Sequence, residues 1–265
     1  MGFCTMQQLN IFKLILIGIT GLVTLLLVLT IGSLLFVPSL TGIWKHLGDP
    51  ELIYALKLSL WTAGTATILV MLAAVPVGYT MSRFRFVGRR LVKTVLDLPI
   101  AFPELVLGLC LLLFFGSNHV AAILKKAGID LVFTRQGIVA AQFFTALPYT
   151  IRILQTTFDY VHPRYELVSR SLGYTHFETF LKVVLPMARK GILAAAVIAF
   201  ARSIGAFGAV LILAGGTYMK TEVLPIALFL NISFGNLDMA VTAGILMLAV
   251  SFFAIYIFEK TEADL

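Results

Sequence analysis

The sequence has little charge, and that shortage bounds its class. Charged residues make up only 12% of the 265 positions, which is too little to solvate the surface of a soluble protein. No Gly-x-x-x-x-Gly-Lys-Ser/Thr segment occurs, and no polar stretch is long enough to form an ATPase domain. The chain is therefore not expected to hydrolyse nucleotides itself.

Cysteine and histidine are also scarce. Cys4 and Cys110 have neither disulfide nor metal-ligand spacing, and we expect both to be buried free thiols. The four histidines are scattered without the spacing of metal ligands: His46, His119, His162 and His176. Neither a metal centre nor a metal-dependent active site is expected from this pattern.

Long apolar runs dominate what is present. Hydrophobic residues make up 60% of the chain, and the mean hydropathy is +0.99. Because a backbone in hydrocarbon must satisfy its own hydrogen bonds, and no alternating barrel pattern occurs, these runs predict helices. The predicted fold is an all-α polytopic membrane protein with about six crossings, at 11–37, 54–81, 91–115, 137–158, 187–214 and 237–258.

Prolines predict departures from regular helices. Pro99 and Pro103 should kink or interrupt the third crossing. The apolar segment 221–232, with Pro225 near its start, is too short to cross. It fits an interfacial or re-entrant helix and an amphipathic surface helix equally well.

The net charge of +7 comes from Lys and Arg at the ends of apolar runs, a pattern of membrane topology rather than of nucleic-acid binding. With a cytoplasmic N-terminus, thirteen of them lie inside and six outside. The outer six are Lys45, Lys57, Lys125, Lys126, Arg135 and Lys220. Both termini are therefore predicted to be cytoplasmic.

The longest polar stretch, 159–186, lies between the fourth and fifth crossings and would face the cytoplasm. A short helix is predicted over 164–172, ended near Gly173, and a second over 176–184, ended by Pro186. We expect a soluble partner to dock on this stretch.

The same stretch reads Tyr165-Glu166-Leu167-Val168-Ser169-Arg170-Ser171-Leu172-Gly173, continuing to Val183-Val184-Leu185-Pro186. It resembles the EAA loop of ABC importer permeases, whose coupling helix sits in a cleft of the ATPase subunit. The family has Glu, Ala and Ala where this chain has Leu167, Val168 and Ser169, with Glu166 one place early. The resemblance implies ATPase-coupling roles for Glu166, Ser169, Arg170, Leu172 and Gly173.

A second segment, Phe200-Ala201-Arg202-Ser203-Ile204-Gly205-Ala206-Phe207-Gly208-Ala209, resembles the Phe-x-Arg-x-x-Gly-Glu-Phe-Gly-Ala segment of molybdate, tungstate and sulfate permeases. Ala206 stands where that family usually has glutamate. The proline-rich segment from Leu98 to Gly108 is also similar to that subfamily. The resemblance implies a translocation pathway near Arg202, Ser203, Gly205 and Gly208.

These resemblances imply the type I importer fold, with an N-terminal part at 1–53, a permease domain at 54–258 containing the coupling loop 159–186, and a cytoplasmic tail at 259–265. They also imply that the chain forms a homodimer in the inner cell membrane, in contact with its lipid. The implied protein partners are two ATP-binding subunits, which hold ATP and magnesium, and an extracytoplasmic oxyanion-binding protein. Neither a cofactor in this chain nor a nucleic-acid partner is expected. The implied cargo is molybdate or tungstate, with sulfate or thiosulfate as the alternative.

Arg202 lies 12 residues after Lys190, or about 18 Å along a helix, and so falls inside the membrane. A charge there usually faces a bundle interior or an aqueous path. The alternative is that it pairs with a helix carbonyl or with Glu104 and fixes the packing. A secondary transporter or channel would need mid-helix acids or an inverted repeat, and a membrane enzyme would need a nucleophile or an acid pair; the sequence shows none of these clearly.

Overall fold

The computed structural model describes residues 2–36 and 46–263, and all regular secondary structure in these ranges is helical. Some of the sequence predictions lie outside the described residues. They concern Met1 and residues 37–45 of the N-terminal part, with Val37 of the first crossing and Lys45 of the topology count, the side chain of Cys4, and residues 264–265 of the tail.

The helices in the described ranges are numbered in chain order. They are α1 (Gly2–Phe36), α2 (Pro50–Arg83), α3 (Arg89–Ala101), α4 (Glu104–Phe115), α5 (Asn118–Lys126), α6 (Arg135–Tyr160), α7 (Arg164–Ser171), α8, α9 (Arg189–Ile204), α10 (Gly208–Ala214), α11 (Leu224–Ser233) and α12 (Leu237–Ala263). α8 starts as His176–Thr179, passes through the π-helical turn Phe180–Val184 and ends as Leu185–Met187.

Five of these helical stretches are long and apolar enough to cross a membrane. They are Ile11–Leu34 in α1, Pro50–Arg83, Arg135–Tyr160, His176–Ile204 and Leu237–Ile257 in α12. A sixth crossing results when α3 and α4 count as one bent span. The predicted all-helical fold with about six crossings is thus confirmed.

The bend between α3 and α4 measures 115°, far more than a kink. Phe102, the residue before Pro103, is extended with ψ of 145°, because a residue before proline avoids the helical conformation. Pro99 stays inside α3. The predicted interruption is therefore produced by Pro103 rather than by both prolines.

The second predicted short helix does not end at Pro186. The chain runs helically from His176 to Ile204 as one apolar stretch. Proline lacks the N–H that a regular helix uses and clashes with the carbonyl four residues earlier. The π-helical turn at Phe180–Val184 widens the helix immediately before Pro186, with the Leu185 N–H bonded to the Phe180 carbonyl, and so accommodates the proline.

The core is built around α6. One buried cluster joins α6 with α4, α10 and α11, and another joins α6 with α2 and the α8–α9 stretch. A third lies between the start of α2, α11 and α12. α1 has no buried part in its membrane-crossing window and packs along α12, near Leu34 and Gly244.

Cys110 departs from expectation, because its side chain is exposed rather than buried. It lies on the outer side of α4, opposite the buried side that Leu107, Gly108 and Leu111 form. An apolar helix in a bilayer can turn such a side chain toward lipid at no hydrophobic cost.

Candidate functional site

The bundle has two opposite ends, fixed by contacts at the two termini of α2. Arg83, the last residue of α2, contacts Glu166 of α7, and we call this the α7 end. Near the N-terminus of α2, Tyr54 donates a hydrogen bond to the Lys220 carbonyl, and we call this the 215–223 end. Candidate functional residues lie at both ends and at a break between α9 and α10.

At the α7 end, α7 is a two-turn helix whose sequence fixes its stop. Leu172 caps it, and Gly173 follows with φ of +94°, a left-handed conformation that glycine adopts without strain. The N–H groups of Gly173 and Tyr174 donate to the carbonyls of Arg170 (3.0 Å) and Ser169 (3.3 Å). The predicted helix and its stop at Gly173 are confirmed.

α7 presents an apolar face outward. Three of its apolar side chains and that of the capping residue are more than half exposed: Tyr165, Leu167, Val168 and Leu172. Arg170 is also exposed, 3.4 Å from the His176 ring. Sequence reasoning missed the first three, although three apolar residues in an otherwise polar eight-residue helix are themselves a signal of a docking face.

Ser169 points the other way. It is 5% exposed, and its Oγ lies 3.0 Å from Oγ1 of Thr179 on α8. α8 itself begins with a capping box in which Thr175 and Glu178 bond each other's backbone N–H groups. Ser169 thus holds α7 on α8 and does not face outward.

Glu166 is also turned inward, toward α2. Its Oε1 accepts from Nε of Arg83 at 2.5 Å, and its Oε2 accepts from the Tyr79 hydroxyl at 2.8 Å. Arg83 further donates to the Val161 carbonyl. Sequence analysis used Arg83 only for topology and did not find Tyr79, because the contact joins residues more than eighty positions apart.

Between α9 and α10 the predicted helix 187–214 is broken at residues 205–207. Oε2 of Glu104 accepts from the backbone N–H groups of Phe207 (3.2 Å) and Gly208 (3.3 Å). The donors freed by the break are thereby satisfied, which is the reason that an interruption is tolerated inside an apolar bundle. The prediction of one continuous fifth helix is wrong.

Glu104 therefore does not pair with Arg202. Cζ of Arg202 lies 3.9 Å from the ring centroid of Tyr149 on α6, a cation–π contact, and the arginine side chain is exposed. At the break, Ala206 is fully buried, and the carboxylate comes from Glu104 instead. Tyr149 was not anticipated from the sequence.

The remaining predicted residues differ in their surroundings. Ser203 is fully buried, and within the described residues its Oγ has no hydrogen-bond partner. Gly208 packs closely: a Cβ there would lie 2.9 Å from the Leu105 nitrogen. Gly205 is exposed, and a Cβ there would approach only the Ala201 carbonyl oxygen, at 3.2 Å. Gly208 thus provides the close contact with another helix, whereas a Cβ at Gly205 would crowd only the preceding turn of α9.

At the 215–223 end both the connection from α10 to α11 and α11 itself are held by polar contacts with α2. The Leu224 N–H donates to Ser59 (2.8 Å), and Asn231 donates to Glu51 (2.9 Å). The expected short helix is α11, and Leu224 and Ile226 on it are fully buried. It is a packed element rather than an amphipathic surface helix.

Glu222 in this connection is 1% exposed, and its burial raises its pKa to about 7. The Met219 N–H opposes the rise, while the charge of Glu51 and a hydrogen bond with it add to it. Since an unfolded glutamate has a pKa of about 4.3, folding favours the protonated acid. This contribution to the stability of the folded protein is fully present below the pKa of the unfolded glutamate, and it is lost as pH rises through about 7.

We therefore expect the purified protein to melt at a higher temperature at about pH 5.5 than at about pH 8, and we expect Glu222→Gln to shrink the difference. Thermal unfolding of both proteins in the same detergent at the two pH values tests this. An unchanged pH difference in the variant would show that other groups cause it.

Residues 74–260 match the family described as "Binding-protein-dependent transport system inner membrane component". The sulfate transport system permease protein CysT of Escherichia coli is 32% identical over 214 residues, which is 80% of this chain and 77% of that protein.

Two further relatives are named for transport of other substances. The molybdenum transport system permease protein ModB of Mycobacterium bovis is 33% identical over 78% of this chain and 79% of that protein. The molybdate/tungstate transport system permease protein WtpB of Thermococcus kodakarensis is 35% identical over 71% of this chain and 70% of that protein.

Solved structures share the fold at low identity. A bacterial ABC transporter involved in the import of the acidic polysaccharide alginate has a chain with TM-score 0.71 and 16% identity, covering 96% of both chains. The inward-facing MetNI methionine ABC transporter gives TM-score 0.63 at 16% identity, over 86% of this chain and 99% of that chain.

Proposed function

The chain belongs to the family of binding-protein-dependent transport system inner membrane components, the permease subunits of ABC importers, and on this premise we propose that it imports molybdate or tungstate. Two observations support the cargo. The segment from Phe200 to Ala209 carries Arg202 in the pattern of oxyanion permeases, and relatives named for molybdenum and tungstate are 33% and 35% identical.

Energy for import would come from a separate ATPase subunit that binds ATP and magnesium. The apolar face of α7, formed by Tyr165, Leu167, Val168 and the capping Leu172, supports docking of such a subunit, because exposed apolar side chains on a short loop helix are costly in water. Gly173 and the Ser169–Thr179 contact fix this face on α8, and α8 continues into α9. A push on α7 would thus reach the membrane bundle as a rigid-body movement.

The excess of Lys and Arg at the α7 end supports its placement in the cytoplasm, with both chain termini on the same side. The 215–223 end would then face outward and receive the oxyanion from an extracytoplasmic binding protein. Two copies of the chain would enclose one pathway, each resting on one of two ATPase subunits.

In that dimer, Arg202 would line the pathway. Its guanidinium is exposed on a single copy, and a charge within a membrane needs water or a polar partner. Guanidinium donors match the oxygen atoms of a tetrahedral oxyanion, and one residue from each copy would attract the anion without trapping it. ATP-driven closure of the ATPase subunits would then alternate access between the two sides.

Sulfate or thiosulfate is the second candidate, because a relative named for sulfate is 32% identical over 80% of this chain. Tetrahedral oxyanions present the same charge and donor requirements to Arg202. The choice between them would depend largely on the binding protein.

The test is uptake into liposomes that contain the permease with its cognate ATPase, with the binding protein in the assay buffer. Molybdate, tungstate and sulfate are compared with ATP and with a non-hydrolysable analogue. ATP-dependent uptake favouring molybdate or tungstate is the expected result, and preference for sulfate would select the second candidate. Uptake that is indifferent to ATP and to the ATPase would overturn the importer and favour a secondary transporter or channel.

A further inference from the structure

The C-terminal end of α2 is tied to α7 by three side chains, Tyr79, Arg83 and Glu166. Both carboxylate oxygens of Glu166 are used within the chain, one by Arg83 and the other by Tyr79. The side chains of Arg83 and Glu166 are only 10% and 15% exposed. Glu166 is therefore engaged inside the permease and is not presented to a docking partner.

We propose that Tyr79, Arg83 and Glu166 form an anchor that couples α7 to α2, so that these three are positioning residues for energy transfer. The proposal rests on the proposed function, since it assumes that an ATPase subunit moves α7. It assigns Glu166 a role inside the permease, in place of the ATPase contact that the sequence suggested.

The anchor matters because α2 has no short covalent link to α7. α7 follows α6 after three residues, and it leads through residues 172–175 to α8 and on into α9. α2 is separated from α7 by α3, α4, α5 and α6. The anchor thus adds a direct side-chain link between α7 and α2 to the indirect routes through α6 and through α8, whose Phe180 ring lies 4.7 Å from the Tyr79 ring.

α2 also leads to the opposite end of the molecule. Its 34 residues span about 50 Å as a helix. At the far end, Tyr54 bonds the Lys220 carbonyl and Ser59 accepts from the Leu224 N–H, both at the α10–α11 connection. Through the anchor, movement of α7 would thus reach the 215–223 end directly.

The burial of the anchor makes its loss different from the loss of an ordinary surface ion pair. An exposed pair contributes little, because water and salt screen it. Removing one partner of a part-buried pair leaves the other charge without its compensating bonds. The exposed Lys182–Glu178 pair on α8, at 3.3 Å, lies in the same loop region and serves as a matched control.

The experiment uses the complete reconstituted complex with Arg83→Glu, Glu166→Arg, the double exchange, Tyr79→Phe and the control Lys182→Gln. Three quantities are measured: ATPase subunit retained on purification, ATP hydrolysis stimulated by the loaded binding protein, and oxyanion taken up per ATP hydrolysed. The third quantity reports coupling and would not move for a residue that only stabilises the fold.

We expect each single charge reversal to keep the ATPase bound and active but to lower uptake per ATP at least tenfold. The double exchange should regain at least half of the wild-type ratio, Tyr79→Phe should lower it two- to fivefold, and Lys182→Gln should leave it unchanged. Tyr79→Phe, which removes one hydroxyl group, decides the matter if a charge reversal fails to fold.

Unchanged uptake per ATP in the Arg83, Glu166 and Tyr79 variants would overturn the anchor while leaving the importer intact. Loss of ATPase binding in Glu166→Arg alone would also overturn it, because Glu166 would then be a docking contact. Absence of ATP-dependent uptake in the wild-type complex would instead reject the proposed function itself.

Discussion

Arg202→Glu is expected to lower ATP-dependent oxyanion uptake at least tenfold while the complex still assembles. Two like charges 4 Å apart repel by about 4 kcal/mol at an effective dielectric constant near 20, enough to empty the pathway of its cargo. The stability of the chain should change little, because the arginine is exposed and its contact with Tyr149 is a cation–π pair of about 0.5–1 kcal/mol.

The matched variants are Arg202→Lys, which keeps the charge, and Tyr149→Phe, which keeps the ring. We expect Arg202→Lys to retain most uptake and Tyr149→Phe to behave as wild type. Uptake is measured in liposomes and assembly by gel filtration with the ATPase. Normal uptake with Arg202→Glu would show that the arginine lies outside the pathway.

Gly108→Ala is expected to lower the melting temperature by about 3–9 °C, the equivalent of the roughly 1–3 kcal/mol that overpacking costs. A Cβ at this position of α4 would lie 2.8 Å from Cα of Ala209 and 2.9 Å from Cβ of Ile212 on α10. The first of these atoms is backbone, so the two helices themselves must separate. Uptake should fall as well, because α10 follows the break that Glu104 holds.

Gly64→Ala is the matched control, since it makes the same change within a helix. A Cβ at Gly64 on α2 would meet nothing within 4 Å. Alanine there should raise helix stability by up to about 1 kcal/mol. Equal melting temperatures for the two variants, measured in one detergent, would contradict the close contact of α4 with α10.

Hydropathy and length predicted the crossings well, because a helix in lipid needs only about 20 apolar residues and no particular partner. The stop of α7 at Gly173 was predictable for a similar reason: a left-handed backbone favours one residue type locally. The 115° bend was anticipated only as an interruption, since its angle depends on where α3 packs against α6.

The inner contacts of the site were not predictable from local patterns. Glu166 resembled a docking residue by its place in the loop, yet it bonds Arg83 and Tyr79 across more than eighty positions of sequence. Glu104 was considered as a partner of Arg202 but bonds the backbone of residues 207 and 208. Both contacts join polar groups whose partners are chosen by tertiary packing rather than by local sequence.

The π-helical turn at Phe180–Val184 lies inside α8 and helps to set the azimuth of its first turn, His176–Thr179, relative to α9. Successive residues of a regular helix are rotated by about 100°, so one residue more or fewer turns everything beyond it by that angle. Deleting one residue from the regular helix beyond Pro186 would rotate His176–Thr179 by that angle relative to α9, and α7, which Ser169 joins to Thr179, would move around the helix axis with it. The apolar face of α7 is thus aimed by a helical phase, and shortening the chain by one residue there would redirect it without altering any residue of α7 itself.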